Sequence, residues 1–321
     1  MSTKRFAALA GVLLVAAQLA AAQPAVTSFH VDEKGFIHTW LLRGPFACEQ
    51  GKTRTVDFLK DLGGESRVFS PEDFRRVPFL SPPVSGGTGF LASLSPGLRI
   101  PLVDFFRPNE WVLAYAACWV VSPEERHAFM KVGSDDGVQV WLNGSQVLRR
   151  LVYRSWRRDD DAVPVVLHKG RNFLLLKVDQ GVGGWEFSVR FTDRGDRPMT
   201  DLRIELPVKV DSAWFAAHLP SFVRVSATQL RRAGERSLQF RLAYRPLVDF
   251  SAGAVSVRSD AYLGDRLVLS GLFDVRFPAD KAFQKKRTLQ PAGWRPGIYT
   301  LVNRIFFDGK RVSEQRNIFF W

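Results

Sequence analysis

The sequence predicts an all-β protein made of two successive antiparallel sandwiches, and three observations carry that reading. The chain is punctuated by 25 Gly and 18 Pro, so turns are frequent. It is rich in rings, with 26 Phe and 9 Trp, and such side chains fit pleated, half-buried surfaces. Its apolar runs are short and bounded by turn residues, as strands are. A composition of 46% hydrophobic and 24% charged residues excludes wholesale disorder, collagen and coiled coil. At 321 residues the chain is long enough for two domains, each with its own core.

Lys4 and Arg5 precede an almost unbroken apolar run from Phe6 to Leu19, and Ala20-Ala21-Ala22 supplies the small residues that a signal peptidase prefers. Residues 1–22 therefore read as a signal peptide cleaved before Gln23. The alternative, a membrane anchor, is disfavoured because the run is short and no basic stop follows it. No later stretch approaches the ~18 continuous apolar residues of a spanning helix, so no transmembrane span is expected after cleavage. The expected location is the periplasm, the cell surface or the surroundings of a bacterium.

Phe29 to Phe46 alternates and ends in Trp40-Leu41-Leu42-Arg43-Gly44-Pro45-Phe46, read as an apolar strand closed by a Gly-Pro turn. Residues 47–100 carry little periodic signal beyond one short helix near Val56 to Leu62, and Ile100 to Phe105 reads as a strand. Trp111 to Val121 is a strand buried on both faces. Ala128 to Val132, Val138 to Leu142, Ser145 to Leu151, Ala162 to Leu167, Phe173 to Val178 and Trp185 to Thr192 follow. Asn143-Gly144 between two of them marks a hairpin of the primed type. Short strands parted by such turns define an antiparallel sandwich or jelly roll over residues 23–202.

Residues 203–220 read as a connection, with a short helix or crossing segment over Ala213 to Leu219. Beyond it come Phe222 to Thr228, Ser237 to Tyr244, Ala254 to Asp260, Leu267 to Val275, Gly297 to Phe307 and Arg316 to Trp321. That spacing suits a smaller immunoglobulin-like or fibronectin-like β-sandwich over residues 221–321.

Several segments share a pattern: Trp40 to Phe46, Gly63-Gly64-Glu65, Ala114-Tyr115-Ala116, the run Gly133-Ser134-Asp135-Asp136-Gly137 through Asn143-Gly144, Lys169-Gly170-Arg171-Asn172, and Gly183-Gly184-Trp185. Together they resemble a galactose-binding-like jelly-roll module, similar to the sugar-binding domain of family 2 glycoside hydrolases and more distantly to PA14 domains. The resemblance covers about residues 29–202. It implies an ancillary module that binds glycan or packs against a neighbour. In lectin-type PA14 domains an adjacent Asp pair holds calcium, and Asp135 and Asp136 occupy the comparable position. The other metal-binding loop of those lectins has no match in this chain.

The residues themselves leave two roles open for Asp135 and Asp136. Calcium takes about six to eight oxygen ligands, to which Ser134, Asn143 and Asp159-Asp160-Asp161 could add. The structural alternative is a tight turn in which these side chains accept backbone N–H bonds and Gly137 takes positive φ. Sugar binding calls for an exposed ring and nearby polar groups. Trp156, in the charged loop Ser155 to Asp159, and Trp185, after two glycines, are the candidate rings. Tyr153 and Arg154 are candidate polar contacts.

No catalytic constellation is legible, because the five histidines stand apart and no nucleophile motif adjoins them. No zinc site is expected, and no cofactor beyond calcium. Cys48 and Cys118 could form a disulfide in an oxidising compartment; otherwise they are two small buried thiols.

The formal charge of +13 falls to +11 without the leader, and it is unevenly placed. Residues 23–202 hold 23 Lys and Arg against 22 Asp and Glu, whereas residues 203–321 hold 20 against 10. Such a basic second half would be drawn to anionic envelope polymers. Its candidate patch is Arg231, Arg232 and Arg236, with Lys281, Lys285, Lys286 and Arg287; the alternative is a solvated face. Nucleic acid is not an expected partner of an exported chain. These features predict a secreted, non-catalytic protein that recognises glycan or cell-envelope polymer, with the second sandwich as spacer or docking surface. The alternative is a structural or assembly subunit of a cell-surface complex.

Overall fold

The computed structural model describes residues 25–74, 77–80, 83–85, 89–95, 97–232 and 235–321, the Arg232 side chain excepted. The expected signal peptide with its cleavage before Gln23 lies outside the described residues. In chain order the strands and helices begin with β1 (Thr27–His30), β2 (Thr39–Ala47), β3 (Val84–Ser85), β4 (Leu91–Leu94), β5 (Ile100–Pro101), α1 (Leu102–Phe105) and β6 (Phe106–Arg107). Next are β7 (Val112–Ser122), β8 (Arg126–Asp135), β9 (Val138–Leu142), β10 (Ser145–Arg150), β11 (Asp161–Leu167), β12 (Gly170–Gln180), β13 (Glu186–Thr192) and β14 (Arg203–Leu206). The rest is α2 (Ser212–Phe222), β15 (Val223–Arg232), β16 (Glu235–Tyr244), β17 (Ala254–Leu263), β18 (Arg266–Pro278), β19 (Phe283–Leu289), β20 (Ile298–Phe307) and β21 (Lys310–Phe320).

The fold is all-β. An eight-stranded sheet runs β1-β14-β7-β12-β9-β10, with β2 on β7 and β4 on β2. A four-stranded sheet, β11-β8-β13-β5, faces it across a core in which Trp40 of β2 meets Phe187 of β13 edge to face at 5.1 Å. β7 and β12 are buried almost throughout, which is why they read as continuous apolar runs rather than as alternating ones. A second pair of sheets, β15-β16-β19 and β18-β17-β20-β21, encloses Phe240 against Phe319 at 5.4 Å.

Some expectations need correction. Gly44 and Pro45 do not close a strand; β2 runs through them, with its register on β7 shifting between Arg43 and Phe46, so the pair forms a bulge. Ile100 to Phe105 is a strand for only two residues before the helical turn α1. The helix expected near Val56 to Leu62 is a single 3-10 turn at Lys60–Leu62. Besides the short β3, β4 and β6, one long strand escaped notice: β19, Phe283–Leu289, is an edge strand exposed along most of its length, so it has no apolar alternation to detect.

The weakly periodic region is nonetheless tied to the core by polar anchors. Lys177 Nζ, inside the first sandwich, donates to Glu65 Oε1 at 2.8 Å and to the Val56 carbonyl at 2.6 Å. Tyr115 Oη donates to the same Glu65 oxygen at 2.6 Å, and Trp119 Nε1 reaches the Phe69 carbonyl at 2.7 Å. Burial and the Glu65 carboxylate push the Tyr115 phenol far above its ordinary range.

α2 joins the two pairs of sheets. Asp211 caps it by accepting the Trp214 N–H at 2.9 Å. Trp214 contacts Phe29 of β1, while Phe215 stacks on Phe250 at 4.5 Å and meets Phe307 of β20. Among the described residues no helix is long and apolar enough to cross a membrane. Cys48 and Cys118 are both free and buried, the second of the two alternatives left open by the sequence; burial pushes the Cys118 thiol well up.

Candidate functional site

The turn after β8 and the loop at residues 151–160 together build one end of the first sandwich. Asn143 and Gly144 have φ of 50° and 82°, the geometry of the expected primed hairpin turn. Asn143 Oδ1 also accepts the Phe173 N–H at 2.9 Å, and its amide nitrogen reaches Asn172. At Asp135-Asp136 the side chains serve the turn. Asp136 Oδ1 accepts the Arg154 N–H at 3.0 Å and Oδ2 the Gly181 N–H at 2.8 Å. Ser134 Oγ donates to the Asp136 carbonyl at 2.7 Å. Gly137 differs from expectation, being absent from the glycines with positive φ. What it supplies is space, since a Cβ there would lie 2.8 Å from the Arg150 carbonyl and closer still to Asp179.

The additional calcium ligands foreseen from sequence are engaged elsewhere. Asp159 is gripped by Arg190 at 2.9 and 2.6 Å, and Asp161 by Arg150 at 2.8 Å and Arg154 at 2.7 Å. Among the described residues no group of three or more His, Cys, Asp or Glu is arranged to hold a metal ion.

These bonds pin the loop. Arg154 also bonds Asp160 at 3.0 Å and Ser134 Oγ at 2.7 Å, so it is a structural clamp rather than a free polar contact. Trp156 is half-buried, not solvated: its Nε1 donates to Ser188 Oγ at 3.0 Å and the Arg99 guanidinium lies 5.1 Å from its ring. Gly133 lets the loop lie this close, because a Cβ there would collide with the Arg157 carbonyl and sit 2.9 Å from Trp156 Nε1. Trp185 is fully buried against Phe106 at 5.7 Å, so it cannot present a ring to solvent. The i+2 series Trp185, Phe187, Val189, Phe191, all buried, was the sequence signal that places it on an inward face.

The exposed ring is Tyr153, 57% accessible. It meets Trp111, 38% accessible, edge on at 6.4 Å, and the Arg54 guanidinium lies 4.1 Å from its ring centre. Trp111 has φ of 53° and is held there by hydrogen bonds from its N–H to Gly181 at 2.7 Å and to its carbonyl from Cys48 at 2.6 Å. A bulky residue in the left-handed region is strained, and such strain gathers at functional sites. Val152 and Val182 are also exposed. Sequence reasoning named Tyr153 as a polar contact rather than as the exposed ring, and it passed over Trp111, which it absorbed into the following strand, and Arg54, which lies in an aperiodic stretch.

Beneath the platform lie two acids with raised pKa. Burial lifts Asp179 to about 6, outweighing its 2.6 Å ion pair with Arg54, and the Asp136 charge adds to the effect. Burial and then Asp136 lift Asp135 to about 6 as well, against the Trp156 backbone N–H that steadies its charged form.

The expected basic patch is divided by strand geometry. Lys286 pairs with Arg241 on the outer face of the three-stranded sheet. Its neighbours Lys285 and Arg287 take the other face, where Arg287 donates to the Gly271 and Leu272 carbonyls at 2.9 and 2.7 Å. Arg231 and Arg236 face each other near the tip of the β15–β16 hairpin. Arg232 follows in the same strand, paired with Glu235.

No family model matches the chain, and no curated protein matches it. Similar solved structures include a glycosyl hydrolase family 2 member from Bacteroides cellulosilyticus, 10% identical with a TM-score of 0.27, the match covering 92% of this chain and 36% of that one. A β-glucuronidase from Bacteroides uniformis is 11% identical with a TM-score of 0.29, covering 68% of this chain and 29% of that one. A β-D-mannosidase from Dictyoglomus thermophilum is 12% identical with a TM-score of 0.27, covering 72% and 34%. These are distant likenesses, and the chain spans well under half the length of each protein.

Proposed function

We propose that the chain is an exported, non-catalytic binding protein that takes glycan on the Tyr153–Trp111 platform. The observation that carries this reading is the exposed Tyr153 ring, set edge on to Trp111 and beside Arg54 by a loop whose polar groups are tied down. A rigid apolar ring can stack on the face of a pyranose with little ordering to undergo on binding. Arg54, paired with Asp179, backs one face of the Tyr153 ring. The acids below the platform are bonded to arginines and backbone N–H groups rather than set across an open cleft, which supports binding over hydrolysis. Affinity electrophoresis of the full chain through neutral polysaccharides tests the proposal. Tyr153→Ala should weaken retention about tenfold, or ~1.4 kcal/mol. Retention by none of the polysaccharides would sink it.

A second reading, an assembly subunit of a cell-surface complex, is favoured by an apolar patch on the outer face of the β18-β17-β20-β21 sheet. Register places Leu267, Tyr262, Thr300 and Ile318 in one row and Ile298 beside Phe320 in the next. Ile318 and Phe320 are 69% and 67% accessible. Contiguous apolar surface of this kind marks protein contacts. Cross-linking in envelope extracts, lost with Phe320→Ser, would support this reading, and a chain that cross-links to nothing would remove it.

A further inference from the structure

A cavity of about 370 Å³ opens where the turn between β1 and β2 meets the outer face of the β15-β16-β19 sheet. Its cationic wall is Arg224, Arg241 and Arg245, and Asp32, Glu33 and His38 line the side contributed by the first sandwich. Register explains the crowding of positive charge. Ser226 pairs with Arg241 and Arg241 with Lys286, so Arg241 and Lys286 stand directly opposite on one face. Arg224, two residues before Ser226, shares that face. Like charges set opposite each other across strands repel.

The nearby acids neutralise Arg245 but leave Arg224 and Arg241 without a carboxylate partner among the described residues. Glu33 pairs with Arg245. Asp32 accepts the backbone N–H groups of Lys34 and Phe36 at 2.9 Å each and lies 3.3 Å from His38 Nε2. These hydrogen bonds hold its carboxyl below the ordinary value in spite of burial. Arg241 lies against the Gln284 side-chain amide, a neutral partner. Among the described residues Arg224, Arg241 and Lys286 form no ion pair with a carboxylate, whereas Arg154, Arg190 and Arg304 each hold one.

We propose that this cleft binds an oxyanion, carried on a unit the size of one sugar: the carboxylate of an acidic sugar, or a sulfate or phosphate ester. Guanidinium forks recognise such groups through paired N–H donors, and the cavity falls in the range of small-ligand clefts, about 300–1,000 Å³. A bound anion would offset the unpaired positive charge of Arg224 and Arg241, both of which line the cavity. The site shares no residue with the Tyr153 platform, so either can fail without the other.

Isothermal titration of the full chain with an oligogalacturonide, its carboxyl-reduced counterpart, inorganic sulfate and inorganic phosphate tests this site. The acidic oligosaccharide should bind at least tenfold more tightly than the reduced one, and less tightly as salt rises. Arg241→Gln and Arg224→Gln should each lose at least tenfold while the melting temperature stays level or rises, because a repelled charge has been removed. Arg231→Gln, whose residue lies near the tip of the β15–β16 hairpin, should change this binding less than twofold. Tighter binding of the oligogalacturonide than of the inorganic ions assigns the anion to a sugar, and equal binding assigns it to a free anion. Absence of binding by all four probes, or unchanged binding in both Arg variants, would overturn the proposal.

Discussion

In the loop at residues 151–160, Arg154 is bonded to Asp160 and Asp161, and Arg190 grips Asp159. On the outer face of the β15-β16-β19 sheet, Arg241 stands opposite Lys286 without a carboxylate. The first arrangement satisfies each charge inside the protein and fixes an irregular segment in place. The second leaves charge unsatisfied where solvent and ligands can reach it. Net charge alone would rank the halves as neutral and basic; the pairing pattern separates charge that holds structure from charge available to a partner.

The largest effect should come from breaking a buried pair in the first half. Glu65→Ala would strand Lys177, which is almost wholly buried, and should cost about 3–5 kcal/mol. Urea denaturation measures this, and a loss under about 1 kcal/mol would erase the contrast with the second half. Gly133→Ala comes next. Its new methyl would press on the Arg157 carbonyl, at about 1–3 kcal/mol, and the displaced loop should lose polysaccharide retention as Tyr153→Ala does. Retention at the parent level would show that the loop's position is immaterial.

A smaller, pH-dependent effect follows from the raised acids. With carboxyls lifted from 3.8 to about 6, the folded chain holds more protons than the unfolded chain in between. The contribution of Asp135 and Asp179 is therefore most favourable below about pH 3.8 and is lost as pH rises through about 6. Asp135→Asn should flatten that decline, and parallel urea midpoints for parent and variant across this window would contradict it. Asp201, held below its ordinary value by Arg126, works in the opposite sense: its contribution disappears as pH falls. The smallest effect on stability is expected from Arg241→Gln, within about 0.5 kcal/mol of the parent or slightly stabilising. A clear destabilisation would mean that Arg241 holds structure after all.

The strands were legible where alternation or continuous burial was strong, as in β7, β12 and the Asn143-Gly144 hairpin. β19 was not, because an edge strand wet on both faces has no period to show. The site was legible in part. Tyr153 was named in its charged loop, though as a polar contact and not as the exposed ring, while Trp185 was misplaced because the glycines before it outweighed its inward alternation. Arg54 could not be assigned, since only the folded chain brings it against a residue so distant in sequence. Lys285 and Lys286, adjacent in sequence, point to opposite faces, so a run of cations on the page was not a patch on the surface.

The ring contacts of α2 reach further than its place as a connector suggests. Because Trp214 packs on a strand of one sandwich and Phe215 on a strand of the other, loosening either half exposes rings that the other also covers. Heat should therefore melt the chain in a single calorimetric transition, and cutting it just before Asp211 should leave neither fragment with native autonomy.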